Sequence, residues 1–180
     1  HLVTTTRDGD AMQLLIIRHG IAADKFEFAR TGRDDTERPL TKEGKRQMRR
    51  VVNGMRRVVR SIDVLASSPL VRAAQTASIV ANEYDELFIH TVPELSPEGE
   101  PAAFARWLRT QREANVVAVV GHEPHLGMLT TWLMTGSRES HVTLEKSGAC
   151  MLEIDEQPGA RSATLQWSLT PEVMKRLSKK

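Results

Sequence analysis

The chain has 180 residues, 40% hydrophobic and 27% charged, with a formal net charge of +2. That is enough for one domain with a real core, without disulfides or a structural metal. The small positive excess, with a sequence pI near 8.9, gives no case for nucleic acid, yet it does not repel an anionic substrate.

Cys150 is the single cysteine, which excludes an intramolecular disulfide framework and fits a reducing compartment. No apolar run approaches the roughly 18 residues a membrane-spanning helix needs. The start, HLVTTTRDGDA, has no apolar signal-peptide region, so a cytoplasmic protein without a membrane partner is expected. Met12 stands directly before the first apolar run. Residues 1–11 therefore read as an upstream extension or a cloning remnant, and residues 12–180 as a single domain.

Gln13–Ile17 (QLLII) is a short apolar run that stops at Arg18-His19-Gly20, the pattern of a buried strand ending in a turn. Residues 21–39 are polar and irregular, with Gly32, Asp34, Asp35 and Pro39, and read as a loop. Thr41 is an N-cap candidate for a helix from Lys42 to Arg60. In it Met48, Val51, Val52, Met55, Val58 and Val59 recur at spacings of three and four. Asp63–Ala66 reads as a second strand closed by Ser67-Ser68-Pro69. A helix from Leu70 to Tyr84 would bury Ala73, Ala77, Val80 and Ala81. Leu87–Val92 is a third predicted strand, Pro101–Arg112 a helix, and Val116–Val120 (VVAVV) a buried strand ending at Gly121-His122. Pro124 to Met134 is predicted helical, since proline is tolerated in the first turn. Ala149–Ile154 and Ala163–Leu169 read as two late strands joined through Gln157-Pro158-Gly159, and Pro171–Leu177 as a last short helix.

Strands alternating with helices imply an α/β fold: a three-layer sandwich whose mostly parallel central sheet carries helices on both faces. Ligands bind such sheets at the carboxyl ends of the strands. Three of those ends carry cationic or reactive residues: Arg18-His19, the Ser67–Arg72 turn, and His122. Two arginines and two histidines gathered there would make a cationic pocket. Arginine offers a planar fork of donors to phosphate oxygens. Histidine donates to phosphate when protonated and attacks phosphorus when neutral. Helix N-termini after Ser68 and Gly121 would add partial positive charge. No metal is required to neutralise a phosphoryl group in such a pocket, and none is expected, nor any other cofactor.

LLIIRHG at 14–20, SSPLVRAAQTA at 67–77 and VVGHEPHLGML at 119–129 closely resemble the histidine phosphatase superfamily, also called phosphoglycerate-mutase-like. RPLTKEG at 38–44 and PELSP at 93–97 narrow the resemblance to its short, SixA-type branch of protein phosphohistidine phosphatases. It covers about residues 12–170, in the expected order. The resemblance implies that His19 is the nucleophile, its ring held by a backbone hydrogen bond. It implies that Arg18 and Arg72 bind phosphoryl oxygens and that His122 completes the pocket. Glu94, in the PELSP segment, is the candidate proton donor.

Other residues read differently. Ser67 and Ser68 are turn and cap residues rather than nucleophiles. His125, three residues after His122, lacks further ligands at metal-site spacing. Cys150 is a small buried hydrophobe, and the basic residues between Lys45 and Arg57 form the solvated face of one helix. The segment 21–28, IAADKFEF, lacks the asparagine usual after RHG in sugar-phosphate mutases. The chain is also too short for a large lid. A phosphohistidine displayed by a partner protein is therefore the leading substrate. A small phosphoester is second, and a binding module without turnover is the third reading.

Overall fold

A computed structural model of the chain describes residues 11–179. The proposed extension thus lies, but for Ala11, outside the described residues. Six strands form one sheet in the order β3-β2-β4-β1-β5-β6. They are β1 (Met12–Arg18), β2 (Val64–Ser67), β3 (Ile89–Thr91), β4 (Val116–Gly121), β5 (Ala149–Ile154) and β6 (Ala163–Leu169). β1, β4, β2 and β3 pair in parallel, while β5 and β6 are antiparallel additions beside β1.

Alternate residues of the central strands serve opposite layers, as the two-residue side-chain period requires. Leu15, Ile17, Leu65, Ala118 and Val120 face one core. They pack there with α2 (Lys42–Met55), α3 (Val71–Glu83) and α6 (Pro171–Leu177). Leu14, Ile16, Ala66, Val117 and Val119 face the other core, with α4 (Pro101–Arg109) and α5 (His125–Thr135). The expected three-layer α/β sandwich is present. Among the described residues no helix is long and apolar enough to cross a membrane.

The differences from the sequence reading have local causes. Segment 21–39 is not irregular throughout. Asp24 caps the short α1 (Lys25–Ala29) by accepting from the Phe26 and Glu27 amides, and Asp34 caps a 3₁₀ turn at Asp35–Glu37. α2 stops at Met55, five residues early, where successive amides of Arg57 and Val58 bond three residues back. β3 is shorter than predicted because Asp85 and Glu86 take left-handed φ values of 61° and 56°. The Leu87 amide then bonds back to Ala81 of α3.

Gly54, inside α2, marks a close helix crossing. A Cβ there would lie 1.7 Å from the Met174 carbonyl oxygen of α6. Glycine to alanine in a helix interior ordinarily stabilises by about 1 kcal/mol. Here the sign should reverse, with Gly54→Ala losing about 1–3 kcal/mol through overpacking, as read from urea unfolding midpoints. A stabilised variant would mean that α6 does not pack there in solution.

Candidate active site

Parallel pairing of β1 with β4 sets the site. Arg18 stands opposite Gly121 in register, so the next residue of each strand, His19 and His122, emerges side by side. Their ring centroids are 5.2 Å apart, and the His19 amide donates to the Gly121 carbonyl at 3.0 Å. β2, on the other flank of β4, delivers Ser67-Ser68 and then α3, whose second residue is Arg72. Thr76 of α3 ties that helix to β1: its hydroxyl accepts from the Gly20 amide and donates to the Arg72 carbonyl.

The resulting cleft, of about 670 Å³, is lined by Arg18, His19, Arg72 and His122 together. Asp35 and Arg38 from the 21–39 segment, Glu98, and Lys146 from the loop before β5 complete its walls. The four motif residues thus converge. Glu94 does not line the cleft. It lies in the one-turn 3₁₀ segment Pro93–Leu95, whose Leu95 is anchored in the core. Its carbonyl is packed against Gly99, where a Cβ would approach to 1.9 Å. The turn carries the chain on so that Pro97 and Glu98 reach the cleft instead. Glu98 forms no hydrogen bond or ion pair among the described residues, whereas Asp24 is occupied as the α1 cap.

His19 is 6% exposed. Its Nδ1 lies 2.7 Å from the Gly20 carbonyl oxygen. A carbonyl only accepts, so Nδ1 carries the hydrogen and Nε2 keeps its lone pair. Burial, aided by the charges of Arg72, Arg18 and Arg38 and opposed by the bond to Gly20, pushes the His19 pKa down to about 4. The ring is neutral at pH 7. His122 is pushed down to about 3, by burial first and then by His19, Arg72 and His125. Its Nε2 lies 2.7 Å from the Ser68 hydroxyl. Ser68 is therefore a positioning residue for His122 as well as part of a turn.

Asp35 is the counter-ion of the cationic wall. Its carboxylate accepts from Arg38 Nε at 2.7 Å and pairs with Arg72 Nη2 at 3.2 Å, while its carbonyl accepts from Arg72 Nη1 at 2.9 Å. Burial works against its charge, but the bond from Arg38 and the charges of Arg72, Arg38 and Lys25 outweigh it. The carboxyl is held below its usual range. Sequence reasoning passed over Asp35 and Arg38 because they lie in a stretch without periodicity. The nearby RPLT run was the available signal.

Arg18 Nε, Arg72 Nε and His122 Nδ1 are buried and have no hydrogen-bond partner among the described residues. His125 turns elsewhere, with Nε2 at 2.9 Å from the Gly99 carbonyl. Cys150 is fully buried, its thiol pushed up to about 12 by burial.

The model of the histidine phosphatase superfamily (branch 1) matches residues 14–96. An uncharacterized protein of Picosynechococcus is 35% identical over 141 residues, spanning 76% of this chain and 82% of its own length. This chain belongs to the histidine phosphatase superfamily. The phosphohistidine phosphatase SixA of Escherichia coli is 29% identical over 163 residues, covering 89% of this chain and 94% of SixA. A solved structure of the protein histidine phosphatase SixA complexed with tungstate superposes with a TM-score of 0.76 at 28% identity. It covers 89% of this chain and 97% of that one. Family membership supports phosphatase activity, and the resemblance to the SixA type seen in the sequence holds.

Two outcomes follow from the site's electrostatics. Between pH 6.5 and about 4 the unfolded chain binds protons at both histidine positions that the folded chain refuses, so stability falls as pH falls through that window. Each histidine contributes at most about 1.4 kcal/mol per pH unit. Urea unfolding between pH 7 and 4.5 should be less pH-dependent in His122→Asn than in wild type. Equal slopes would mean that His122 is not buried in its neutral form. Inorganic phosphate or vanadate, binding only the folded state, should raise Tm, with about 2.7 kcal/mol of stabilisation at a hundredfold excess over Kd. Arg72→Ala should lose most of that shift in a thermal melt.

Proposed function

We propose that this protein hydrolyses phosphoryl groups by two displacements at His19, with phosphohistidine on a partner protein as its substrate. The observation that carries the reading is the convergence of Arg18, Arg72 and His122 in the cleft that holds a neutral His19. Guanidinium and imidazole groups gathered beside a nucleophilic nitrogen suit a tetrahedral oxyanion. Tungstate, bound by the solved SixA relative, is an oxyanion of the same tetrahedral class.

In the first step His19 Nε2 attacks phosphorus, and the P–N or P–O bond to the leaving group breaks. Its Nδ1–H bond to Gly20 keeps the ring oriented and spreads the positive charge that forms. Arg18, Arg72 and His122 hold the non-bridging oxygens, where charge sits during an in-line transfer. In the second step water attacks the phosphohistidine, releasing phosphate and returning the electron pair to Nε2.

Substrate choice follows from the leaving group. A phosphohistidine whose distal ring nitrogen carries a proton releases neutral imidazole, the conjugate base of an acid of pKa about 6.5, and needs no proton at the breaking bond, whereas an alkoxide needs a full proton there. The only cleft carboxylate free of hydrogen bonds and ion pairs among the described residues is the exposed Glu98. That supply of acid is modest and favours phosphohistidine over alkyl phosphates. The open cleft also suits a group presented on a protein surface.

His19→Ala should reduce turnover of an aryl phosphate below about 1% of wild type with Tm little changed, since nucleophilic catalysis supplies a large factor. Rapid quenching of wild type should trap acid-labile, alkali-stable phosphate on His19. A substrate panel then decides specificity, with phosphohistidine peptides expected to exceed phosphoserine peptides and sugar phosphates. Sugar phosphates turned over faster than phosphohistidine would replace the proposed substrate with a small phosphoester. Full activity in His19→Ala would overturn the covalent route itself.

A further inference from the structure

The stretch of residues 136–148 between α5 and β5 has no regular secondary structure, yet it builds one wall of the cleft. It meets the end of β1 at three points. The Arg18 amide donates to the Gly148 carbonyl at 3.0 Å, and the Ser147 amide donates to the His19 carbonyl at 3.1 Å. Arg18 Nη1 donates to the Leu144 carbonyl at 2.7 Å. Ser147 is buried and holds a left-handed φ of 66°, a conformation that persists only where its surroundings enforce it.

Glu123 ties the same loop to α5. The residue directly follows His122, is half-buried, and lines the cleft. Both carboxylate oxygens are engaged: Oε1 accepts from the Leu144 amide at 3.0 Å, and Oε2 accepts from the Gly127 amide at 3.3 Å, in the first turn of α5. Leu144 is therefore gripped at both ends of its backbone, its amide by Glu123 and its carbonyl by Arg18. Its side chain is anchored in the core beside Leu126 and Leu129. The loop passes so close over α5 that a Cβ at Gly127 would lie 2.0 Å from the Val142 carbonyl oxygen.

We propose that Glu123 is a positioning residue for the phosphoryl site, fixing the guanidinium of Arg18 through the backbone of Leu144. This rests on the reading of Arg18 as a phosphoryl ligand. Glu123 serves here as an acceptor, with one backbone amide bound at each carboxylate oxygen. Burial raises the Glu123 carboxyl above its usual range, opposed by the Leu144 and Gly127 amides and, last, by the charge of Arg18. Displacements of about 1 Å in a binding group cost up to about a hundredfold in rate, so a clamp at this position has leverage.

The test is a double-mutant cycle read by vanadate affinity. Glu123→Gln keeps the size of the side chain but leaves one amide without its acceptor. It should weaken vanadate about tenfold in the wild-type background and less than twofold in Arg18→Ala. An equal loss in both backgrounds would show that Glu123 does not act through Arg18. Glu123→Asp, too short to hold both amides, should give the same pattern and serves if the glutamine variant folds poorly. In Glu123→Gln, kcat/KM should fall by one common factor for aryl and alkyl phosphates. A loss that grows with leaving-group basicity would make Glu123 the proton donor and overturn the positioning role. If Arg18→Ala binds vanadate as tightly as wild type, the phosphoryl reading of Arg18 fails, and the proposal with it. A cycle without coupling beside a weakened Arg18→Ala overturns the Glu123 proposal alone.

Discussion

Six parallel register pairs, from Gln13 with Val116 to Arg18 with Gly121, fix the chemistry of this protein. They bring two strands far apart in sequence to a common end, and each strand places a histidine one residue beyond it. A slip of one residue would turn every side chain to the opposite face. It would exchange the two cores and separate His19 from His122. The apolar residues of β1 and β4 thus hold the two histidines side by side, because burial on both faces makes any other register costly.

The site is an electrostatic compromise. Arg18, Arg38 and Arg72 lie together with two histidines, and burial weakens the hydration that would otherwise offset their repulsion. The histidines respond by staying neutral, and His19 keeps the lone pair on Nε2. The arginines cannot lose their charge. Asp35 spreads one negative charge between Arg38 and Arg72 and leaves Arg72 Nε unpaired. Two guanidinium charges against one carboxylate leave the wall cationic. An incoming phosphoryl group would bring the remaining negative charge, so binding and the relief of repulsion belong to one event.

Irregular segments do much of the positioning. Segment 21–39 brings Asp35 and Arg38, and the loop before β5 brings the Leu144 carbonyl and Lys146. Neither has a backbone ladder of its own over most of its length, and side chains hold both in place. Asp24 and Asp34 cap short turns in the first. Glu123 and Ser140 accept backbone amides in the second. This is how loops carry function on a rigid scaffold: the sheet supplies fixed points, and buried polar groups demand partners.

The sequence alone determined the layers and the four central residues. QLLII and VVAVV mark doubly buried strands by composition, each followed closely by a histidine, and the SSPLVRA run adds Arg72, so the four residues could be picked out as a candidate group before any contact was known. The amphipathic spacing of α2 and the late pair β5–β6 were legible for the same reason, since both follow short periods along the chain. Asp35, Arg38, Ser68 and Glu123 were not legible as site residues, because their partners lie 3 to 54 positions away and no local period encodes such pairings. Glu94 and Glu98 make the same point over four residues. Only the anchoring of Leu95 in the core and the crowding at Gly99 turn Glu98 toward the cleft and leave Glu94 off its lining. Burial of this kind is a property of the packed chain, and it alone sets which carboxylate lines the cleft.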